Sequence, residues 1–322
     1  MLASLAPMAL DPRLWPLVVL GRRRNRDAAA SWPERRARDA ALARRGGPLV
    51  MRPGPAPAAV DHLFLPVDGG RVRVRLYRPA TPGPHPLYVF LHGGGWCSGG
   101  LDERDPRCRT VCVDADCVVA SVDYRLAPEH AYPVPAEDGY AALCHLVDDA
   151  AHLGIDPGRV AVGGESAGGN LAAVLCLMAR DRGRPTICHQ WLDVPATDAT
   201  LAQSGHREVP DGYLLDAAAI DEFLGAYLPD PALATEPYCS PLLATDHRGL
   251  PPAWIMTAEY DRLRGDGEAY AYALRSAGVG ATHVRLDGHV HASFAFTRLL
   301  PSARAYERDA VAALRRAFAA GD

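Results

Sequence analysis

A single serine, Ser166, stands in a glycine-rich segment, residues 163–170, and this segment strongly limits the possible folds of the chain. A short apolar run, residues 159–162, precedes the segment, and an alanine-rich stretch, residues 171–179, follows it. This order predicts a strand, a sharp turn and a helix, because glycine fits a tight turn in which a side chain would clash. The pattern G-x-S-x-G in this context is a nucleophile elbow. We therefore expect the Ser166 hydroxyl to project from the sheet at the start of a helix, where developing negative charge is favoured.

A second glycine run lies upstream of the serine. Residues 86–91 predict a buried strand, which runs directly into H-G-G-G-W at residues 92–96. Acyl transfer through a tetrahedral intermediate needs N–H donors that point at an oxyanion, and glycines let the backbone come close enough to supply them. A strand that ends in H-G-G-G ahead of a G-x-S-x-G segment therefore predicts an oxyanion hole.

A nucleophilic serine needs a base, and the base needs an acidic group that orients it. Residues 252–258 predict a strand that leads to Asp261, and residues 282–286 predict the last strand, shortly before His291. Since ligands bind at the carboxyl ends of parallel strands, Asp261 and His291 are expected near Ser166.

Other residues compete for these two roles. His289 precedes His291 by two positions, so an extended segment would present both on the same face. Asp266 could instead be an ordinary acidic residue in the first turn of a helix. Asp287 could be a simple turn residue. Spacing alone therefore leaves the base and the acid open.

The motifs together resemble the hormone-sensitive-lipase-like branch of the α/β-hydrolases, which includes bacterial carboxylesterases related to arylacetamide deacetylase. The resemblance also includes Y-R-L-A-P-E-H at residues 124–130, S-P-L at residues 240–242 and T-A-E-Y-D at residues 257–261. It covers about residues 60 to 300. By resemblance, Ser166 is the nucleophile, His291 the general base and Asp261 its orienting acid.

The same resemblance implies an oxyanion hole made by the N–H groups of Gly94, Gly95 and Ala167, with Gly93 shaping the loop. The chain departs from the family pattern at Glu165, where the family usually has Asp. It also departs at residue 262, which is Arg where the family has Pro, and at residues 292–294 after the base. These differences affect the local geometry and the acyl pocket, and they leave every catalytic group in place.

The alternation of strands and helices predicts an α/β fold with a mostly parallel central sheet, helices on both faces and a helical cap. We divide the chain into N-terminal cap helices and a linker (residues 1–57), a first core part (58–194), a cap insertion (195–245) and a second core part (246–322). The predicted substrate-binding residues are Trp96, Leu214, Tyr213 and Glu165, with Trp96 and Leu214 ranked first. The Glu165 side chain should point away from the substrate and anchor neighbouring loops.

Composition excludes several classes of function. The net charge of −4 gives no overall field that attracts nucleic acid. The chain has no lysine, which excludes a phosphate-binding P-loop lysine, a Schiff base and a Ser–Lys dyad. The eight cysteines form no C-x-x-C pair, and we expect buried thiols and no metal site. No cofactor is expected either. A bulky thiol reagent on Cys97, just after the glycine loop, is predicted to slow turnover.

The first residues, 1–10, lack the basic start of an export signal, and the apolar run 14–20 is too short to span a bilayer. We therefore expect a cytoplasmic protein without stable membrane insertion, although the arginine-rich segment 21–52 could contact an anionic partner. The predicted function is a serine esterase that hydrolyses short- to medium-chain acyl esters, with a small-molecule ester as its partner and a homodimer as a possible assembly. The alternatives are a deacetylase or amidase with the same triad and, less favoured because all three triad residues are present, a non-catalytic ligand receptor of the same fold.

Overall fold

The computed structural model describes residues 10–24 and 31–320, without the side chains of residues 22–24. Most of the segment in which we looked for an export signal, and the arginine side chains at positions 22–24 and 26, lie outside the described residues. The described chain contains one eight-stranded sheet. Its strands are β1 (Ala59–Val67), β2 (Gly70–Arg78), β3 (His85–Leu91), β4 (Val118–Asp123), β5 (Ile155–Glu165), β6 (His189–Asp193), β7 (Ala253–Tyr260) and β8 (Ala281–Val290).

The strand order in the sheet is β1-β2-β4-β3-β5-β6-β7-β8. β1 is antiparallel to β2, and β2 is antiparallel to β4, whereas every pair from β4 to β8 is parallel. The predicted mostly parallel sheet is therefore confirmed. Because the parallel strands share one direction, β5, β7 and β8 deliver the loops that follow them to the same edge of the sheet.

Helices cover the sheet on both faces and also form the N-terminal segment and the cap. They are α1 (Trp15–Arg24), α2 (Trp32–Val50), α3 (Asp105–Ala115), α4 (Val134–Asp148), α5 (Ala150–Leu153), α6 (Ala167–Asp181), α7 (Gly205–Glu208), α8 (Ala217–Tyr227), α9 (Arg264–Ser276) and α10 (Pro301–Ala319). Single 3₁₀ turns lie at Pro12–Leu14, Pro231–Thr235, Pro241–Leu243 and Ser293–Ala295.

The core lies in two layers, one on each face of the sheet. β3 is buried along its whole length, and its side chains alternate between the layers, since successive residues of a strand point to opposite faces. Leu87 and Val89 pack with helices α4, α6 and α9, whereas Tyr88 and Phe90 pack with α3 and α10. The thiols of Cys108 and Cys112 lie in this second layer as buried apolar side chains, on one face of α3 as their spacing predicts.

Two predicted elements differ from the structure. The amphipathic pattern over residues 135–153 predicts one helix, whereas the structure has two, α4 and α5, which meet at Asp149. Strand β1 was not predicted, although its partly exposed residues alternate with fully exposed ones over much of its length. The segment between β6 and β7 carries α7 and α8. The sequence of residues 216–227 predicts a helix in this segment, and α8 agrees with it. No helix within residues 10–24 and 31–320 has the length and apolar character that crossing a membrane would need.

Candidate active site

Ser166 lies at the sharp turn between β5 and α6, with φ 55° and ψ −122°. This left-handed backbone is costly for a residue with a side chain, and it persists because the surroundings hold it. The Ser166 N–H donates to the Asp193 carbonyl at 2.8 Å. A Cβ at Gly164 would lie 2.3 Å from the Gly168 carbonyl oxygen, and one at Gly168 would lie 2.1 Å from the Leu91 carbonyl oxygen. Both glycines of the G-x-S-x-G pattern are therefore required by close backbone contacts.

The three residues predicted to act together lie within hydrogen-bond reach of one another. His291 Nε2 is 3.0 Å from Ser166 Oγ. His291 Nδ1 is 2.8 Å from Asp261 Oδ2. The Asp261 carboxylate is fully buried, and its other oxygen accepts the Leu263 N–H at 2.9 Å. This geometry allows a serine hydroxyl to transfer its proton to an imidazole that a carboxylate orients.

The competing residues occupy structural positions. His289 is buried between the hydroxyls of Ser293 and Ser302, at 2.9 and 2.8 Å, and burial lowers its pKa to about 4. Asp266 is buried and accepts the N–H groups of residues 197 and 198, and burial raises its pKa to about 6. Asp287 pairs with Arg285 at 2.7 Å on the surface. None of these three forms a hydrogen bond with Ser166 or His291.

Two hydrogen bonds that sequence reasoning missed fix the end of β7 and the loop that follows it. The Glu259 carboxylate accepts the Gly288 N–H at 2.7 Å, which joins the end of β7, just before Asp261, to the end of β8, just before His291. Arg262, where the family has proline, donates to Asp211 at 2.8 Å in the cap segment. The departure from the family pattern therefore connects the Asp261 loop to the cap.

The glycine loop after β3 lies beside the serine. Gly94 and Gly95 have φ values of 125° and 59°, which glycine alone adopts readily. A Cβ at Gly95 would lie 2.3 Å from the Phe223 ring. The Gly94 carbonyl accepts the Cys97 and Ser98 N–H groups at 3.1 and 2.9 Å, so the loop forms a tight turn. Gly93, Gly94, Gly95 and Ala167 line the same cavity as Ser166.

Glu165 forms an ion pair next to the nucleophile. Its carboxylate accepts a hydrogen bond from Arg104 Nε at 2.7 Å, and both side chains are largely buried. Burial acts to raise the pKa of Glu165, but Arg104, together with Arg107 and His291, outweighs burial, so this pKa lies below its usual range. Glu165 also packs against Gly93, where an added Cβ would lie 3.2 Å from its Oε1. These contacts agree with a side chain that anchors the glycine loop.

A buried charge cluster under the elbow was also missed. Arg107 forms an ion pair with the Asp193 carboxylate, and the side chains are 6% and 2% exposed. The Arg107 guanidinium lies 4.6 Å from the centroid of the Trp191 ring, and Trp191 Nε1 donates to Asp193 at 3.0 Å. Tyr306 donates its hydroxyl to the same carboxylate. Because the Asp193 carbonyl also accepts the Ser166 N–H, the cluster fixes the backbone that carries the nucleophile.

Ser166 and His291 open into a cavity of about 240 Å³. Trp96, one of the predicted substrate-binding residues, lines it, with its ring stacked on Tyr227 at 4.3 Å between ring centroids. Leu214 and Tyr213, also predicted, are not among its lining residues. They pack instead against the apolar cluster that α1 forms with β8 and α10, and Tyr213 stacks on Tyr260 at 4.9 Å. The apolar cap residues that line the cavity are Leu215, Ile220, Phe223 and Leu224.

Leu214, which was predicted to bind substrate, and its neighbour Leu215 differ in the direction of their side chains. Leu214 has φ 76°, which turns its side chain toward Gly21 of α1. Its neighbour Leu215 lines the cavity. Within residues 10–24 and 31–320, the structure brings no three histidine, cysteine, aspartate or glutamate side chains together in a way that could hold a metal ion.

Comparison with known proteins agrees with this geometry. A sequence model of the family described as "alpha/beta hydrolase fold" matches residues 88–295. The chain is 44% identical over 262 residues to the carboxylic ester hydrolase LipN of Mycobacterium tuberculosis, covering 80% of this chain and 70% of that protein. It is 43% identical over 251 residues to the carboxylesterase NlhH of the same organism, covering 77% of this chain and 79% of that one.

A solved structure leads to the same family. The hyperthermophilic esterase of the archaeon Pyrobaculum calidifontis superposes with a TM-score of 0.91 at 35% sequence identity, covering 98% of this chain and all of that one. The predicted α/β-hydrolase fold with its mostly parallel sheet is therefore confirmed. The chain belongs to the α/β-hydrolases, in the hormone-sensitive-lipase-like family that these esterases represent.

Proposed function

We propose that this protein is a serine carboxylesterase that hydrolyses short- to medium-chain acyl esters through an acyl-enzyme intermediate. The observation that carries the proposal is the hydrogen-bonded series from Ser166 through His291 to Asp261, with spacings of 3.0 and 2.8 Å, at the wall of a partly apolar cavity. The names of the similar proteins, carboxylic ester hydrolase and carboxylesterase, support the same reaction.

In the first half-reaction, Ser166 Oγ attacks the ester carbonyl carbon and His291 Nε2 takes the hydroxyl proton. Asp261 holds the imidazole and stabilises its positive charge. The carbonyl oxygen becomes an oxyanion, which accepts hydrogen bonds from the N–H groups of Gly94, Gly95 and Ala167. His291 then gives its proton to the leaving alkoxide oxygen, the C–O bond breaks and the alcohol departs.

In the second half-reaction, a water molecule attacks the acyl carbon and gives a proton to His291 Nε2. The oxyanion of this second tetrahedral intermediate accepts hydrogen bonds from the same N–H groups. Its collapse breaks the bond to Ser166 Oγ, which recovers the proton from His291, and the carboxylic acid leaves. The positive end of α6, which begins at Ala167, favours negative charge in both steps.

The size of the cavity supports a short or medium acyl chain. Pockets that hold drug-sized ligands have volumes of about 300 to 1,000 Å³. The cavity here measures about 240 Å³, and the cap residues Leu215, Phe223 and Leu224 line it. A long acyl chain would have to extend outside this cavity. We therefore expect kcat/KM to peak within the short and medium chain lengths.

Hydrolysis of a 4-nitrophenyl ester series from acetate to palmitate tests the proposal. The wild type should prefer short or medium chains, and Ser166→Ala should lower kcat by about 10⁶-fold. Ser204→Ala is the matched control, since Ser204 directly precedes α7 in the cap and does not line the cavity. A folded wild type without activity, or a Ser166→Ala variant with wild-type rates, would overturn the proposal.

The homodimer and the cytoplasmic location stay predictions. β8 is the last strand of the sheet, so its free edge could pair with the β8 of a second copy. Sedimentation equilibrium at micromolar concentration would measure the mass of the assembly. A mass of one chain at all concentrations would contradict the dimer.

A further inference from the structure

One carboxylate at the catalytic cavity has no counter-ion of its own. The charged residues that line the cavity are Glu103, Arg104, Glu165 and Asp198, beside His291. Among the described lining residues Arg104 is the only arginine, and its Nε donates to Glu165 at 2.7 Å. The Glu103 carboxylate forms no hydrogen bond or ion pair with any residue in the described part of the chain, and only its backbone carbonyl accepts a weak contact from Arg104, at 3.3 Å.

The surroundings of Glu103 leave its negative charge poorly compensated. Burial raises the pKa of this carboxyl, and the nearby carboxylates of Glu165 and Asp39 act in the same direction. Arg104 and His92 oppose the shift and do not cancel it. A cation placed beside Glu103 would therefore gain an attraction that the protein itself leaves unmet.

A second carboxylate in the wall adds to the negative charge. Asp198 is 2% exposed. Its oxygens accept hydrogen bonds from Thr200 and from Gln203, at 2.7 Å for the latter, and all these donors are uncharged. After the Arg104–Glu165 pair is set aside, the described part of the lining therefore carries two carboxylates and no arginine that forms an ion pair with either of them.

Aromatic rings in the same wall also favour a cation. The faces of Trp and Phe rings attract ammonium groups, most strongly where water is excluded. Trp96 and Phe223 both line the cavity, and the Phe223 ring lies directly over the glycine loop, 2.3 Å from where a Gly95 Cβ would be. The two rings, Glu103 and Asp198 thus line the same cavity as Ser166.

We infer that the cavity selects esters that carry a positively charged nitrogen, with Glu103 as the counter-ion of that group. The inference rests on the proposed esterase function. It names the substrate class: an ester with an ammonium group either in the leaving alcohol or in the acyl chain. Glu103 then determines specificity and takes no part in the proton transfers.

Two pairs of substrates of matched shape test the inference. For a cation in the alcohol, 2-(trimethylammonio)ethyl acetate is compared with 3,3-dimethylbutyl acetate. For a cation in the acyl chain, the 4-nitrophenyl ester of 4-(trimethylammonio)butyrate is compared with that of 5,5-dimethylhexanoate. In the wild type, kcat/KM for the cationic member should exceed that of the neutral member by about tenfold in at least one pair, which corresponds to about 1.4 kcal/mol.

Glu103→Gln should remove that ratio, and Glu103→Asp, which keeps the charge, should retain most of it. Asp102→Asn is the matched control, because Asp102 is the neighbouring carboxylate, is 72% exposed and pairs with Arg75 outside the catalytic cavity. Its ratio should equal that of the wild type. Since each ratio is taken within one variant, a general loss of active protein does not change it.

The possible failures can be told apart. If the wild type hydrolyses the neutral esters and shows no preference for the cationic ones, the inference is overturned and the esterase stands. If no ester is hydrolysed, the proposed function falls, and calorimetry decides the inference: Ser166→Ala should bind 2-(trimethylammonio)ethyl acetate more tightly than its neutral isostere. Equal binding, or an unchanged preference in Ser166→Ala/Glu103→Gln, would refute the role of Glu103.

Discussion

Replacement of Arg107 by methionine removes the cation that pairs with Asp193 beneath the nucleophile elbow. The two side chains are 6% and 2% exposed, so little water can take the place of the guanidinium. The Asp193 carboxylate keeps two uncharged donors, Trp191 Nε1 at 3.0 Å and the Tyr306 hydroxyl. The variant also loses the contact of the guanidinium with the Trp191 ring, at 4.6 Å from its centroid.

The size of the effect follows from this burial. Removing one partner of a buried ion pair costs about 3 to 5 kcal/mol, because the remaining charge is left uncompensated. The two remaining donors to Asp193 place Arg107→Met near the lower end, at about 3 kcal/mol. Urea unfolding followed by tryptophan fluorescence measures the free energy of unfolding of wild type and variant. The variant Arg107→Met/Asp193→Asn should recover much of the loss, because it removes the uncompensated charge as well.

The dependence on pH gives the same reasoning a second test. Burial raises the pKa of Asp193 and Arg107 opposes that rise, so loss of Arg107 raises the pKa further. A carboxyl whose pKa is higher in the folded state binds protons more readily there, so its destabilising effect shrinks as the pH falls toward that pKa. The stability deficit of Arg107→Met should therefore be smaller at pH 5 than at pH 8. A deficit below about 1 kcal/mol, typical of a surface pair, would refute the reasoning.

Three further changes have expected outcomes. Gly95→Ala should lower kcat/KM by about 10² to 10³, because its Cβ would meet the Phe223 ring at 2.3 Å and displace an oxyanion donor. Gly183→Ala controls for backbone strain, since Gly183 has a similar φ of 74° and nothing within 4 Å of an added Cβ. Equal effects of the two substitutions in ester assays would contradict the clash. Asp261→Asn should lower kcat by roughly 10⁴, since the imidazole loses its orienting partner, and an unchanged kcat would remove Asp261 from the triad. Cys97 should resist a bulky maleimide in the native protein, because burial raises its pKa to about 12; peptide mass spectrometry that finds it modified would show otherwise.

The positions proposed for the triad could be predicted because they depend on short-range rules. A serine between two glycines after a strand has few backbone options, and residues that follow parallel strands meet at one edge of the sheet. Spacing could not choose between His289 and His291. The structure separates them through Ser293 and Ser302, whose hydroxyls hold the His289 ring away from the serine.

Features that depend on long-range packing could not be predicted in the same way. Arg107 and Asp193 are 86 positions apart, and no local pattern links an arginine in α3 to an aspartate at the end of β6. The cavity wall at Leu215, in place of Leu214 and Tyr213, depends on the backbone reversal at Leu214 and on contacts with α1. Tertiary packing decides which apolar residues line a cavity and which lie in the core, and the apolar character of a residue alone does not reveal this.

The accessibility of Cys97 is a further feature that depends on long-range packing and could not be predicted from the sequence. Its position just after the glycine loop suggested a thiol that a reagent could reach, but its side chain is fully buried and its Sγ lies 3.8 Å from the Phe223 carbonyl oxygen. The cap helix α8 therefore covers it. The predicted slowing of turnover by a thiol reagent applies only to protein in which the cap has opened.

The central claim is that Ser166 is the nucleophile of an acyl transfer. The most direct test is to treat the protein with an alkyl fluorophosphonate and measure the intact and peptide masses. We expect one adduct per chain on the peptide that contains Ser166, loss of ester hydrolysis in proportion to labelling, and no adduct in Ser166→Ala. Labelling of another residue, or equal labelling of Ser166→Ala, would contradict the account.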